Sequence, residues 1–515
     1  MTHELETENF VANARLALHN VQLQSALAGA MEKIAVARGG AVAEVGDEWP
    51  RLRDRAREIK EHVVNYLDYY LREFAACVER QNGKVYWARD AHEANTYITN
   101  LAQRQGITQV VKSKSMISEE IALNDALAAA GIEAVETDLG EYIVQLAGER
   151  PSHINIPAVH KTRGDVADLL AEKLHVERPK EIRDMATLVR RTLRARFAEA
   201  EMGISGVNFA VAETGTIVLV ENEGNIRLTT SLPRIHVAVM SVEKIIPRLE
   251  DLAVFLPLLT RSASGQKICS YVSFLTGVKH SPVEEGPEEL HVVILDNGRT
   301  AMLADPQLRE SLYCIRCGAC LNSCPVYQKI GGHPYGWVYP GPIGAVLTPQ
   351  LIGRERAADL PFASTLCGTC RDVCPLKINI PDMLLHLRYE IKEAAATPRQ
   401  HVASLNRSLL ASLRRRFAKW TEHALFNVWA STMKKATRYE RVASLARLAQ
   451  RVYLSRSLIN LRAALLARLG PVYLPPRLAK RSFRAQWTKP LPPVETRLKE
   501  SQTVITEVGI ETELS

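Results

Sequence analysis

The sequence lacks the apolar segments that would carry it into or across a membrane. No apolar run approaches the length of about 18 residues at which a membrane-spanning helix is predicted. Residues 1–30 also lack the apolar core of a secretory signal, and Glu4, Glu6 and Glu8 oppose one. We therefore expect a reducing, cytoplasmic location, compatible with a peripheral position at the inner membrane, in which clustered cysteines bind metal.

The common fingerprints of nucleotide and nucleic-acid binding are also missing. The chain contains no G-x-G-x-x-G run, no Walker A run and no flavin fingerprint. It has no helix-turn-helix signature, which argues against a regulator that binds DNA. The composition is otherwise that of a globular protein, with 46% hydrophobic and 24% charged residues among 515. A chain of this length predicts about three domains.

Cysteine is sparse, and 7 of the 9 cysteines lie in two short runs. The first run has the spacing C-x2-C-x2-C-x3-C-P, which is typical of bacterial ferredoxins with [4Fe–4S] clusters, and comprises Cys314, Cys317, Cys320 and Cys324 before Pro325. The second run has the same spacing without its first cysteine and comprises Cys367, Cys370 and Cys374 before Pro375. Ser364 occupies the position of the missing cysteine.

Zinc sites and disulfides are the two other uses of clustered cysteines. Paired C-x2-C motifs also bind structural zinc, but seven cysteines with two Cys-Pro endings fit a tetrahedral zinc site poorly. A disulfide framework is disfavoured by the expected reducing compartment. The two isolated cysteines, Cys77 and Cys269, are most simply buried apolar thiols.

In ferredoxins of this type, the last cysteine of each run ligates the cluster held by the other run. This rule predicts that cluster one is bound by Cys314, Cys317, Cys320 and Cys374. It predicts that cluster two is bound by Cys324, Cys367 and Cys370, one thiolate short of a complete set. Cluster two is then a [4Fe–4S] cluster with Ser364 or another weak fourth ligand, a [4Fe–4S] cluster with a labile corner, or a [3Fe–4S] cluster.

Strands and helices alternate in the central part of the chain, which predicts an α/β sheet. Residues 1–80 are predicted to be helical, and residues 81–300 to form the α/β domain. Predicted strands cover 84–89, 107–112, 132–137, 208–213, 216–221, 226–230, 234–240 and 291–295, with 222–225 as a hairpin turn. Predicted helices cover 91–105, 118–130 and 242–256.

Residues 301–395 are predicted to form a helical ferredoxin domain with two clusters. Its helices are expected at 349–358 and 381–395, after a turn-rich segment that separates the two cysteine runs. A basic helical region is expected over 396–490, and a flexible polar tail over 491–515.

Polar residues gather in loops and at strand ends of the α/β domain, where open α/β sheets carry their sites. The candidates are Asp138, Glu141, Gln145, His153, His160, Glu213 and Thr214. The alternative is that these side chains cap helices and satisfy loop backbone groups.

The polar loop over 137–161, the Glu213-Thr-Gly-Thr216 segment and the two cysteine runs, in this order, resemble the lactate utilisation protein B family. The resemblance implies a LUD domain, similar in fold to sugar-isomerase and CoA-transferase α/β proteins. It implies electron carriage in the oxidation of L-lactate to pyruvate, together with two companion proteins. The family shares the three-cysteine second run, so Ser364 is no departure from its pattern.

Two alternative functions stay open at this point. One is an enzyme that binds a hydroxy acid at an open iron of cluster two. The other is a regulatory iron–sulfur sensor that binds nucleic acid.

Positive charge is concentrated near the end of the chain. Residues 401–490 contain 19 Lys and Arg against 2 Asp and Glu, a net charge of +17, whereas the whole chain carries +8. The remainder therefore carries 8 − 17 = −9. We expect this segment to dock on an acidic partner protein or a membrane surface, and nucleic acid is the less favoured partner.

Overall fold

The computed structural model describes residues 6–281, 283–396, 424–453 and 479. The chain divides into two units, Met1–Pro398 and Arg399–Ser515. In the second unit, the described residues form a helical segment over 424–433 and the helix Ala436–Tyr453. The predicted tail over 491–515 and most of the predicted basic region lie outside the described residues.

Four helices open the first unit, as predicted from the spacing of apolar residues. They are α1 Phe10–His19, α2 Val21–Ala43, α3 Glu48–Asn65 and α4 Leu67–Arg80. The side chain of Asn20 caps α2 by accepting a hydrogen bond from the backbone N–H of Leu23 at 3.0 Å. Helix α3 buries Trp49, Ala56 and Val63 on one face, because these positions recur at helical spacing.

The rest of the first unit alternates between strands and helices up to residue 304. In chain order these elements are β1 Lys84–Ala88, α5 Ala91–Arg104, β2 Gln109–Lys112, α6 Met116–Glu120, α7 Leu123–Ala129, β3 Glu133–Glu136, α8 Leu139–Ala147, α9 Arg163–Leu174, α10 Ile182–Glu199, β4 Met202–Ser205, β5 Phe209–Val211, β6 Thr216–Glu221, α11 Asn225–Ser231, β7 Ile235–Ser241, β8 Ile245–Ile246, α12 Leu252–Ser264, β9 Tyr271–Leu275, β10 Glu289–Leu295 and α13 Arg299–Ala304.

Six of these strands form one parallel sheet in the order β1-β10-β7-β4-β2-β3. Its central strand β7 is buried along its whole length, as expected for a parallel sheet covered on both faces. A smaller sheet has the order β8-β5-β6-β9. The predicted α/β fold is therefore confirmed, and all strand carboxyl ends of the parallel sheet meet at one edge.

Several predicted elements are wrong in type or position. Residues 226–230, predicted as a strand, lie in helix α11, because the Glu221 carboxylate accepts the backbone N–H groups of Ile226 and Arg227 and starts a helix there. The helix predicted over 118–130 is broken at Ala122, whose φ is +50°. The helix predicted over 242–256 begins only at Leu252, because β8 pairs with β5 first.

The cysteine region is built from short helices. They are α14 Ala319–Asn322, α15 Tyr327–Ile330, α16 Gly341–Leu351, α17 Thr369–Asp372 and α18 Ile380–Ala396. Helix α18 agrees with the prediction, whereas the helix predicted over 349–358 is replaced by α16, which ends at Leu351. None of the helices in the described ranges combines the length and the apolar content needed to cross a bilayer.

Candidate iron–sulfur centre and adjoining cavity

The two cysteine runs fold into two copies of the same local structure. In each, a glycine with positive φ precedes a four-residue helix, Gly318 before α14 and Gly368 before α17. Helices α14 and α17 contact each other, so the two runs meet in space. Five of the seven thiols are buried and Cys314 is partly buried, whereas Cys367 is exposed.

The thiols of Cys314, Cys317, Cys320 and Cys374 act on one another electrostatically. Burial raises the pKa of Cys317, and negative charge on Cys374 and Cys314 raises it further. Burial raises the pKa of Cys374 to about 11, and Cys314 adds to this. The pKa of Cys320 is raised by burial and then by charge on the other three.

A second group of thiols comprises Cys324, Cys367 and Cys370. Burial raises the pKa of Cys370 to about 12, and charge on Cys324 contributes next. Burial also raises the pKa of Cys324, with Cys367 adding to the effect. Cys367 differs, because hydrogen bonds from Thr369 lower its pKa at the exposed end of the group.

These surroundings fit iron–sulfur clusters. Thiolates are the ligands that iron–sulfur clusters take, and buried thiols stay protonated until a metal ion supplies positive charge. The Tyr335 hydroxyl is fully buried and has no hydrogen-bond partner among the described residues. Burial raises its pKa, and negative charge on Cys324 and Cys320, one from each thiol group, raises it further. A cluster sulfur is an acceptor that would satisfy it.

Ser364 is partly buried beside the second group. Its hydroxyl oxygen accepts a hydrogen bond from the backbone N–H of Leu366 at 3.1 Å. The Arg388 guanidinium donates to the Ser364 carbonyl at 3.1 Å. The serine therefore has a local backbone role, and its service as an iron ligand stays a prediction.

Three arginines of α2 and α3 hold the end of the second run and the residues just after it. Arg53 donates from Nε and Nη2 to the Cys374 carbonyl at 3.0 and 2.7 Å, and from Nη2 to the Asp372 carbonyl at 2.8 Å. Arg38 donates to the Val373 carbonyl at 3.0 Å. Arg57 donates to the Lys377 carbonyl at 3.1 Å. Helices α2 and α3 thus position Cys374. The sequence alone did not indicate this role for the first helices.

His153 joins the α/β domain to the first cysteine loop. Its Nδ1 accepts backbone N–H groups of Asn155 and Ile156 at 3.0 and 3.1 Å, so the proton resides on Nε2. Nε2 donates to the Asn322 side chain at 2.9 Å, and burial lowers the pKa of His153 to about 3. This candidate is therefore a neutral structural residue.

The other candidate residues of the α/β domain do not form one site. His160 bonds Ser152 and Glu149 at 2.7 Å each, Gln145 bonds the backbone of β3, and Glu213 accepts the Leu249 N–H. Thr214 donates to Thr216 at 2.8 Å. Glu141 is buried beside Glu119 and Glu136 in a cavity of about 230 Å³, where burial raises its pKa.

Asp138 lies in a different cavity of about 390 Å³ between the α/β domain and the first cysteine loop. It caps α8 by accepting the Glu141 N–H at 3.1 Å. The same cavity is lined by Lys114, Lys244, Glu223 and Arg316. Sequence reasoning missed these four, although Lys114 and Lys244 follow β2 and β7 at the carboxyl edge of the sheet, where such sites occur.

Two family matches agree with this architecture. The chain matches the LUD domain over residues 71–295 and the 4Fe-4S dicluster domain over residues 310–378. The fold and the cysteine centre thus define an iron–sulfur protein that joins a LUD domain to a ferredoxin-type domain.

Curated relatives cover most of the chain. Lactate utilization protein B of Bacillus subtilis (strain 168) is 44% identical over 397 residues, which is 76% of this chain and 82% of that protein. The protein of the same name from Shouchella clausii (strain KSM-K16) is 45% identical over 384 residues, 74% of this chain and 80% of that protein. The chain belongs to the lactate utilization protein B family, as its motifs indicated.

The chain is also similar to one further curated protein and to one solved structure. "Uncharacterized electron transport protein YkgF" of Escherichia coli (strain K12) is 44% identical over 397 residues, 77% of this chain and 83% of that protein. A crystal structure of a DUF162 family protein from Deinococcus radiodurans is 16% identical and covers 44% of this chain and 98% of that chain, with a TM-score of 0.24.

Proposed function

We propose that this protein relays electrons through two iron–sulfur clusters in a system that oxidises L-lactate to pyruvate with companion proteins. The observation that carries the proposal is the division of the seven thiols into two groups. One has four thiols, all buried except the partly buried Cys314, and the other has three and reaches the surface at Cys367. A buried cluster beside an exposed one suits a relay, because electrons enter or leave at the exposed end.

The proposed ligands of cluster one are Cys314, Cys317, Cys320 and Cys374, and those of cluster two are Cys324, Cys367 and Cys370. The mutual electrostatic effects within each group support this assignment. When bound, the clusters supply reversible one-electron transfer. The protein holds the thiolates, limits access of water to the buried group and keeps the charged arginines Arg38 and Arg53 beside Cys374. Positive charge near a cluster favours its reduced state.

The assignment is tested by Cys374→Ala. Cluster one should be lost selectively although Cys374 belongs to the second run, because its thiol acts on Cys314, Cys317 and Cys320. Iron content and the EPR spectrum of the reduced protein measure this. Cys77→Ala removes a buried thiol outside both runs and should keep both clusters. Selective loss of cluster two in Cys374→Ala contradicts the crossed assignment.

The electron relay itself is tested in the complex isolated with its companion proteins. Addition of L-lactate should reduce the clusters, as followed by the visible absorbance and by EPR. Clusters that stay oxidised while the complex converts lactate to pyruvate would contradict the relay.

Docking of an acidic partner or a membrane surface through residues 401–490 is part of the same proposal. The net charge of +17 in this segment supports it.

A further inference from the structure

The cavity of about 390 Å³ is placed where a ligand would meet both parts of the first unit. Its walls come from the carboxyl ends of β2, β4 and β7 and from the cysteine loop at Ile315 and Arg316. Ligand sites of open α/β sheets occur at this edge, and cavities of about 300–1,000 Å³ are the usual size for small molecules.

Arg316 lines this cavity, and its guanidinium carries an unsatisfied charged donor. Its side chain is only 9% exposed, and its Nη2 donates to the Glu243 carboxylate at 3.2 Å. Its Nη1 is buried and has no hydrogen-bond partner among the described residues. Because a buried charged donor without a partner costs free energy, this nitrogen calls for an acceptor that the chain does not provide.

Two lysines line the same cavity. Lys114 Nζ is buried and likewise has no hydrogen-bond partner in the described ranges. Lys244 is partly buried, and burial, followed by the nearby Arg316 guanidinium, lowers its pKa to about 8. An anion bound beside Lys244 would offset this loss of hydration and stabilise its ammonium form.

Positive charge exceeds negative charge in the buried network next to the cavity. Arg299 is paired with both Glu120 and Glu243, and Glu243 is shared with Arg316. Lys60 donates to the carbonyls of Glu243 and Ile245 rather than to a carboxylate. Glu120 and Glu243 alone therefore do not neutralise these cations. The Cys314 thiolate supplies further negative charge to Lys60, Lys244 and Arg316, and an anion in the cavity would add to it.

We propose that this cavity binds a small organic carboxylate of the 2-hydroxy or 2-oxo acid class, with its carboxylate at Arg316 and Lys244. The proposal rests on the proposed function for the identity of the acid, whereas the site itself rests on the geometry. It differs from an open iron of cluster two, because the acid would lie on the side of Cys314, against the first cysteine loop.

The chemistry of the cavity favours a monoanionic carboxylate over a phosphate. A guanidinium presents parallel N–H groups that match a carboxylate. Asp138 and Glu223 lie in the same cavity beside Lys114, and they would repel a ligand with a second negative charge. Asn155, Asn208 and Asn225 line the walls and offer amide groups to a hydroxyl or keto oxygen.

The site has a spectroscopic reporter within the chain. The backbone N–H of Arg316 contacts the Cys314 Sγ at 3.4 Å, and its guanidinium lies over the Tyr339 ring at 5.0 Å. Hydrogen bonds to ligating sulfur tune a cluster. An acid that pairs with the Arg316 side chain should therefore change the EPR signal of cluster one.

The test is titration of the purified, cluster-loaded protein with L-lactate, pyruvate and inorganic phosphate, followed by calorimetry and by EPR. Lactate or pyruvate should bind saturably and shift the cluster-one signal, and phosphate should not. Arg316→Gln and Lys244→Met should each weaken binding at least tenfold. Lys244→Met keeps the test decisive if Arg316→Gln loses iron, since Lys244 lies outside the cysteine loop. Arg191→Gln makes the same chemical change on the exposed face of α10 and should bind like wild type.

Failure of this inference and failure of the electron relay give different results. Clusters reduced by lactate in the complex, with no binding of either acid to this chain, would overturn the cavity and leave the relay standing. Binding that Arg316→Gln and Lys244→Met abolish, with clusters that never accept electrons, would overturn the relay and leave the cavity. Binding of phosphate but not of the acids, or equal weakening in Arg191→Gln, also overturns the proposal.

Discussion

At the scale of single residues, the close contact between Gly318 and the loop that carries His153 fixes the position of the first cysteine run. A Cβ at Gly318 would lie 2.9 Å from Asn155 Nδ2 and 3.1 Å from His153 Cε1, and its φ is +78°. Asn155 also donates to the Cys317 carbonyl at 2.5 Å. The α/β domain therefore packs directly against the loop that carries Cys317 and Cys320.

Gly318→Ala should destabilise the first unit more than Gly368→Ala does. Both positions have positive φ, which costs an alanine about 1–2 kcal/mol, but a Cβ at Gly368 meets nothing within 4 Å. Overpacking at Gly318 should add about 1–3 kcal/mol and release iron from cluster one. Denaturant unfolding and iron content of the two variants give the comparison. Equal losses in both would show that only backbone conformation matters.

At the scale of elements, helix α3 acts as a support for the second cysteine run. Arg53 and Arg57 reach the carbonyls that follow α17, and Arg57 is also paired with Glu310 ahead of the first run. Glu310 in turn accepts the Asn379 N–H at 3.1 Å. One helix from the start of the chain therefore holds both sides of the iron–sulfur region in register.

Arg53→Met should loosen Cys374 while keeping the helix. Loss of its charged hydrogen bonds to the Cys374 and Asp372 carbonyls should cost about 1.5–3 kcal/mol, and cluster one should lose iron faster under mild oxidant. Arg55→Met on the same helix is the control, since Arg55 is half exposed and pairs only across the surface with Glu58. The rate of EPR signal loss separates the two. A rate in Arg53→Met that matches Arg55→Met would rule out the supporting role.

The elements also show where sequence reasoning succeeds and fails. The sequence predicts strands β1, β2, β3, β7 and β10, because short segments with apolar or β-branched residues alternate there with helical patterns. Strand β4 was missed because Met202-Gly-Ile-Ser205 is short and contains a glycine, and only its neighbours in the sheet make it a strand. Helix α11 was predicted as a strand because its β-branched residues hide the helix start that Glu221 provides from outside.

The residues that line the cavity were also hard to predict from the sequence. The cysteine runs can be recognised by their spacing, since the cysteines within each run are close in sequence. Lys114, Lys244 and Arg316 are far apart in the chain and are brought together only by the sheet and by the approach of the cysteine loop. Asp138 was the one predicted residue that lines this cavity.

At the scale of the whole first unit, helices α1–α4, α12 and α14–α18 share one hydrophobic core with the smaller sheet and the cysteine loops, whereas α5 and α7 pack in a second core and α9 and α10 in a third. Within that unit several histidines are buried and neutral. Burial lowers the pKa of His153 and His236 to about 3 and that of His160 to about 4. In the unfolded chain each histidine takes up a proton near its ordinary pKa of about 6.5, whereas in the folded protein it stays neutral. Each therefore makes the native state less stable as pH falls below about 6.5.

The last prediction isolates one of these histidines. Below about pH 6.5 the unfolded chain binds a proton at His236 and the folded chain does not. As pH falls, this residue should therefore lower the free energy of unfolding of wild type by up to about 1.4 kcal/mol per pH unit. Glu223 works in the opposite direction, because burial and then Asp138 raise its pKa to about 7. The overall slope therefore mixes signs, and the difference between His236→Gln and wild type is the informative quantity.

His236→Gln keeps a donor or acceptor for Ser205, which contacts His236 Nε2 at 2.8 Å, and it cannot titrate. The unfolding free energy of this variant, measured in urea between about pH 7 and pH 5, should fall less steeply than that of wild type, by about 0.3 kcal/mol per pH unit at pH 7 and about 1.3 at pH 5. His92→Gln removes an exposed histidine on α5 and should keep the wild-type slope. Parallel slopes for His236→Gln and wild type would mean that the buried imidazole accepts its proton in the folded protein, against the low pKa that its burial produces.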